Sequence, residues 1–265
     1  MAVTSEDVMS EQCSGFFRPQ SSEQCSDSKG RSGIVGHMAA TTPAPPATEG
    51  RRARQRRELL AAIEVEARRL LEEGGAGKVS MRAIARAVGL GPASLYTYFD
   101  RLDDVFTLLL LASYESLAAA TATGVDAFAD DPPADRAFAG ILAHRRWALA
   151  HRNEFNLLFT DVLPGYAAPP GGPTVDAQVQ VFQPIVDALT EVGPLGTDLT
   201  VEQAGIVVWC AFHGAVALEV NHHLDWLDDP AAAHETTVRR AFASIGAPAP
   251  AKTLRKRFDR WATHP

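Results

Sequence analysis

The stretch Ser80–Phe99, SMRAIARAVGLGPASLYTYF, limits what this chain can fold into more than any other. Its pattern predicts two short helices joined by a tight turn. Ser80 is a natural N-cap, because its hydroxyl can accept a hydrogen bond from an orphan amide of the first turn. Ile84, Ala85 and Val88 follow at helical spacing and give that helix one apolar side. Gly89 supplies a stop, since glycine tolerates the left-handed conformation that ends many helices. Leu90 plugs the turn. Pro92 restarts a helix at its first position, where the missing N–H costs nothing. Leu95 and Phe99, four apart, then point inward. Ala93, Ser94, Thr97 and one flank of Tyr96 and Tyr98 stay outside. A rod of about two turns with a small, hydroxyl-bearing outer face suits the floor of a DNA major groove.

Around this stretch the charge is unevenly shared. Residues 51–110 carry a net +3, whereas the whole chain is −7. A basic segment on an acidic body implies that one end meets a polyanion. Five of the seven residues from Arg51 to Arg57 are arginine. Arginines at a helix start oppose the helix dipole. Here they abut the two-helix motif, where they could neutralise phosphates or enter a minor groove as a flexible arm. Arg51, Arg52, Arg54 and Arg56 are the expected contacts.

The next helix is expected over Arg57–Glu73, with Leu59, Leu60, Ile63, Ala67, Leu70 and Leu71 as its inner stripe. Gly74, Gly75 and Gly77 break it, and Lys78 lies in the loop before Ser80. After Phe99 a long helix opens at Asp100 or Arg101 and reaches at least Leu117. Leu102, Val105, Phe106, Leu109, Ala112 and Ser113 form its inner side. Asp100, Asp103 and Asp104 suit its N-terminal dipole.

The first-helix stripe, the glycine break, SMRAIARAVGL, and LYTYF before an acidic helix start together resemble the N-terminal domain of TetR-family repressors, over about Arg54–Leu111. The resemblance implies phosphate contact by Ser80 and recognition-helix positions at Gly91, Pro92, Ala93, Ser94 and Thr97. It also implies backbone contacts by Tyr96 and Tyr98. Two positions depart from the family pattern. Gly91 stands where most relatives have Ser, which removes a side-chain cap. Leu102 stands where most have Lys, and Arg101 lies one helical step, about 100°, away. The outer face holds no Arg, Asn or Gln for a bidentate base contact. Specificity should therefore lean on DNA shape, the arginines and dimer spacing.

Beyond about Ala134 the pattern stays helical, with turn signals at residues 130–133, 164–173, 193–196, 228–230 and 246–250. Phe138, Ile141, Leu142, Arg145, Leu149 and residues 155–159 form an interrupted apolar band. Val179, Phe182, Ile185, Val186 and Leu189 mark another helix. Thr200 with Gln203 reads as a capping box for a helix to about Leu224 that is apolar almost all round. Such a helix must be buried, in the core or between subunits. Cys210, within it, reads as a small buried hydrophobe. RRWALAHRNEFNLLF, then LPGY, then Trp209, His213 and Gly214 resemble the TetR ligand-domain subfamily marked by a Trp-His-Gly signature. That likeness implies a helical domain that binds an effector and dimerises through its last two long helices. Trp209 and His213 share a helix face. Trp147, Phe155, Phe159, Tyr166, Phe182, Trp209, Phe212 and His213 are available to line a cavity, with Trp147, Phe155, Phe159, Trp209 and His213 as the ligand-lining set, although each also suits plain core packing. His213 is the first polar choice, because an apolar helix is a poor place for an imidazole without a partner. Asn221, His222, His223 and Asp225 do not have metal-ligand spacing.

Composition bounds the rest. Residues 1–50, rich in Ser, Pro, Gly, Gln and Thr, cannot bury enough surface to fold and form an expected disordered leader. Within it Met38 opens a fresh stretch and is a candidate native start. No continuous apolar run approaches a membrane span of roughly 20 residues. Three cysteines make no disulfide framework, which suits a reducing cytoplasm. The expected architecture is all-α. A three-helix helix-turn-helix DNA-binding domain occupies residues 51–111, and a helical effector-binding and dimerisation domain occupies residues 112–265. The expected function is a homodimeric repressor, released from a palindromic double-stranded operator by a small-molecule effector. The alternative keeps DNA binding without a small-molecule ligand. No cofactor or metal is implied. Neither a nucleophile motif, a phosphate-cradling loop nor a zinc motif points to an enzyme.

Overall fold

The computed structural model describes residues 50–160, 166, 172–193, 195–196 and 198–263. The leader, with Cys13, Cys25 and Met38, lies outside them, as do residues 163–165 of LPGY. Among the described residues there is no strand.

The helix-turn-helix unit is built from α1 (Arg51–Gly74), α2 (Met81–Ala87) and α3 (Pro92–Leu95). Ser80 caps α2 by accepting the Ala83 amide at 3.2 Å. Gly89 stands at φ +72° after that helix, a left-handed geometry that glycine adopts without strain. Ile63, Ala67, Leu71, Ile84, Ala85 and Leu95 are fully buried together, and Phe99 nearly so. Two expectations change. First, α1 begins at Arg51, so the arginine run is its opening turns and not a flexible arm. The alanine and long side chains around it favour helix enough to outweigh the dipole. Second, the recognition rod is one α-turn, tightened after Leu95 by bonds from the Thr97 amide to the Ser94 carbonyl and from the Tyr98 amide to the Leu95 carbonyl.

From Leu102 to Asp126 runs α4, the central helix, which crosses the expected 111/112 boundary without a break. The Asp104 carboxylate accepts the Arg101 amide at its start, at 2.9 Å. Around α4 pack α5 (Pro133–Ala150), α6 (Arg152–Phe159) and α7 (Pro173–Glu191). The crossing of α4 on α5 uses small residues. A Cβ on Gly124 would sit 2.5 Å from the Ala143 Cβ, and one on Gly140 would sit 2.7 Å from Val125. His151 breaks the apolar band between α5 and α6.

Val201–Val220 forms α8, followed by α9 (Pro230–Ser244) and α10 (Leu254–Thr263). Thr200 and Gln203 make the reciprocal capping box. Prolines open α5, α7 and α9 at the predicted turns. Helix α10 is tied on by Arg257 to Asp131 at 2.7 Å and by Phe258 stacked on Phe128.

Averaged along their length, α4 and α8 are apolar and long enough to cross a membrane, which corrects the reading made from continuous runs alone. For α4 the cause is plain: it is wrapped by α1, α5, α6 and α7. Helix α8 is different. Ala204, Val208, Phe212, Val216 and Val220 are buried against the rest of the chain. Ile206, Val207, Cys210, Gly214 and Leu218 lie on its other face and are exposed. Cys210 is therefore not buried within one chain, contrary to expectation, because it belongs to the face turned away from the core.

Candidate nucleic-acid interface and effector core

The residues expected at DNA share one end of the molecule, on or beside the helix-turn-helix. Pro92, Ala93, Ser94, Tyr96 and Thr97 are exposed, as are Gly91, Lys78, Arg51, Arg52, Arg54 and Arg56. Ser80 and Tyr98 are partly buried. Gly91 provides no side-chain cap for α3. The Thr97 hydroxyl donates to the Ser94 carbonyl at 2.7 Å, so toward a partner it offers lone pairs and a methyl. Arg56 lies over the Tyr98 ring at 5.0 Å, which joins the start of α1 to the end of the recognition turn. Arg101 pairs with Asp103 and does not stand free in the role of the absent lysine. Helix α1 has no acidic residue in its first turn. A cationic helix start gains from a polyanion nearby. Sequence reasoning passed over Arg82 and Arg86. Both are exposed, four apart on α2, and make no ion pair among the described residues. Their spacing on the helix that crosses the DNA backbone in this motif was the available signal.

A second site lies in the C-terminal half. Phe155, Phe159, Trp209 and His213 come together: His213 is 5.4 Å from Phe155, 4.7 Å from Phe159 and 5.4 Å from Trp209, ring to ring. Trp147 does not join them. Its indole donates to the Ser116 hydroxyl at 2.9 Å and stacks on His151, toward α4. The group missed is His144. It is wholly buried, with Phe155, Phe159, Phe182 and Phe212 between 5.1 and 6.5 Å away. Neither ring nitrogen has a hydrogen-bond partner, and the same holds for buried His234 and for Nδ1 of His213. Leaving a buried polar group unpaired costs on the order of 1–3 kcal/mol. Burial drives all three imidazoles toward the neutral form. His144 falls to about 3, helped by His213 and His234, His234 to about 3, helped by Arg145, and His213 to about 4. The signal for His144 was a lone histidine in the apolar run ILAHRRW. Among the described residues no cluster could hold a metal ion.

Helix α6 joins the two sites. Arg68 of α1 donates to Glu154 at 2.7 Å, and Glu154 is almost fully buried. The Asn153 amide donates to the Glu72 carbonyl at 2.8 Å. On its other sides α6 holds the end of α8. Arg152 donates to the Val220 carbonyl at 2.6 Å, and Asn156 exchanges bonds with Asn221 at 3.0 and 3.1 Å. Phe155 and Phe159 of the same helix line the histidine core.

An all-helical chain with an exposed helix-turn-helix on a cationic end is, by class, a DNA-binding regulator. Comparison with known proteins narrows this. Residues 63–107 match a family model described as bacterial regulatory proteins of the tetR family, and residues 136–241 match one described as a tetracyclin repressor-like C-terminal domain. The HTH-type transcriptional regulator Rv1816 of Mycobacterium tuberculosis is 29% identical over 213 residues, covering 69% of this chain and 90% of that protein. Mb1846 of Mycobacterium bovis matches to the same extent. Among solved structures, SCO4313 aligns with a TM-score of 0.61 at 24% identity, covering 72% of this chain and 98% of that one. RolR, solved with resorcinol, aligns at 0.53 and 18%, covering 78% and 96%. Those two matched segments together span more than half of the chain, and the chain belongs to the TetR family of transcriptional regulators.

Proposed function

We propose that the chain acts in the cytoplasm as a homodimeric repressor of a palindromic operator and that a small-molecule effector releases it. The observation that carries this reading is the placement of α6. Its Asn153 and Glu154 hold α1, while its Phe155 and Phe159 reach the histidine core. A molecule that displaces those rings moves the helix on which the recognition unit hangs. Release then follows from unequal affinity of the effector for the two spacings of the recognition turns.

Dimerisation is supported by the open face of α8. Ile206, Val207 and Leu218 are each more than a third exposed, and a Cβ at Gly214 would meet nothing within 4 Å. That face would be covered by the same face of a second copy, in keeping with two-fold association. Two recognition turns about one DNA turn apart then read a palindrome. Arg51, Arg52, Arg54, Arg56, Lys78, Ser80, Tyr96 and Tyr98 would hold phosphates, joined by Arg82 and Arg86. Ala93, Ser94 and Thr97 would face the bases.

A second reading, DNA binding without a small molecule, is favoured by the closed core. The crevice between α7 and α8, lined by Phe182, Ile185, Val208, Trp209 and Phe212, holds only about 10 Å³ of open space. One experiment separates the readings. Genomic fragments bound by the purified protein are selected, then challenged with extracts of the source cells. The first reading expects two protomers per palindromic site and release by a dialysable component. Binding that no extract disturbs favours the second.

A further inference from the structure

We propose that His144 anchors a binding site for a neutral, largely apolar small molecule carrying a hydroxyl group. This rests on the ligand-responsive reading above and names the chemistry of the ligand.

His144 is fully enclosed, and both of its nitrogens are without partners. A neutral imidazole has one donor and one acceptor. A hydroxyl suits either nitrogen: it accepts from the protonated one or donates to the bare one, one nitrogen per hydroxyl. His213, whose Nδ1 is also unpartnered, flanks the same two rings, Phe155 and Phe159, and offers a second polar contact. Four aromatic rings meet His144, those of Phe155, Phe159, Phe182 and Phe212, all tilted or edge-on. Such walls take a flat ring.

Charge is excluded for a separate reason. Arg145, next to His144 in the chain, is already paired with Glu219, its Nε donating at 2.7 Å. The rings that meet His144 carry no cation, and burial opposes charging either imidazole. A carboxylate or an ammonium would enter unpaired.

Space comes from movement. Phe159 is only partly buried, at the end of α6, and its displacement would open one ring's volume beside His144. On the opposite wall α7 carries Pro184 inside the helix, next to Phe182 and Ile185 of the crevice. A proline there removes one helical hydrogen bond and gives α7 a natural place to bend.

The test uses the full chain and three probes of one shape: 4-ethylphenol, ethylbenzene and 4-ethylbenzoate. Calorimetric titration is expected to give 4-ethylphenol an affinity about tenfold or more above ethylbenzene, with no binding of the benzoate. His144→Phe should abolish the difference between phenol and hydrocarbon. In the wild type, histidine ¹⁵N spectra should show the ring nitrogens of His144 shifting on addition of the phenol, a readout that survives if the variant fails to fold. Equal affinity for phenol and hydrocarbon, tighter binding of the benzoate, unmoved His144 resonances, or no binding of any probe overturns the proposal. Operator binding, followed in parallel, separates the two claims. Phenol binding at His144 that leaves DNA affinity unchanged keeps this site and removes the release mechanism. Release of DNA by a molecule indifferent to His144 does the reverse.

Discussion

At the scale of single residues, the buried histidines set how the protein responds to acid. His144, His213 and His234 titrate near 6.5 when unfolded but only near 3 to 4 in the fold. Their neutral forms cost nothing extra above about pH 6.5. Below it the unfolded chain takes up protons that the native one refuses, so stability falls as pH drops toward the folded values. Each group contributes up to about 1.4 kcal/mol per pH unit across that window. Thermal unfolding should be flat from pH 7 to 8 and decline steeply below pH 6. His144→Phe should make that decline shallower by about one proton; an unchanged slope would show that His144 is not neutral in the fold. On the DNA side, substituting Arg52 and Arg54 should weaken binding to all sequences and lower the salt slope. Ser94→Ala or Thr97→Ala should chiefly change which sequence is preferred. Equilibrium binding to a randomised pool at several salt concentrations separates the two groups. Identical effects from both would break the division between phosphate-facing and base-facing residues.

At the scale of elements, the tightest constraint is the crossing of α4 and α5. Gly124 faces the Ala139 carbonyl, where an added Cβ would come within 2.9 Å, and Gly140 faces Val125. Neither helix can retreat without disturbing α7, which packs on both. Gly140→Val should therefore cost about 1–3 kcal/mol, the usual range for overpacking, and Gly124→Ala should be felt through backbone displacement. Denaturant melts of both variants check this, and wild-type midpoints would mean that the helices stand further apart than described. The short α6 is the contrasting case. Eight residues cannot hold a helix on their own strength. Arg152, Asn153, Glu154 and Asn156 fasten it to α1 and to the end of α8, which makes it a connector between α1 and the core.

At the scale of the whole molecule, the exposed side of α8 and the cationic end of α1 look outward for partners of opposite character, one apolar and one anionic. Leu218→Asp should shift the protein toward single copies in light-scattering measurements. It should also weaken operator binding through the lost second recognition turn. In a Cys13→Ser, Cys25→Ser background the Cys210 thiol should react slowly with an aromatic disulfide reagent. Leu218→Asp should speed that reaction, because the face that carries Cys210 is then uncovered. Fast reaction in the parent, or a single-copy parent, would remove the dimer proposed here.

Local rules were enough for the helix-turn-helix and most helix ends. Ser80 as a cap, Gly89 as a stop, Pro92 as a start and the Thr200–Gln203 box depend on residues within a few positions of one another, and short-range sterics and hydrogen bonding decide them. The inward stripe of α1 was equally readable, because helical period alone puts Ile63, Ala67 and Leu71 on one side. What lies between distant segments was not. No spacing rule tells that His144 meets Phe182 and Phe212, that Trp147 turns away to Ser116, that Arg68 reaches Glu154, or that Cys210 faces outward on a helix apolar all round. Those outcomes depend on how α5, α6, α7 and α8 are rotated against one another, and only close packing of the whole set of side chains chooses that rotation.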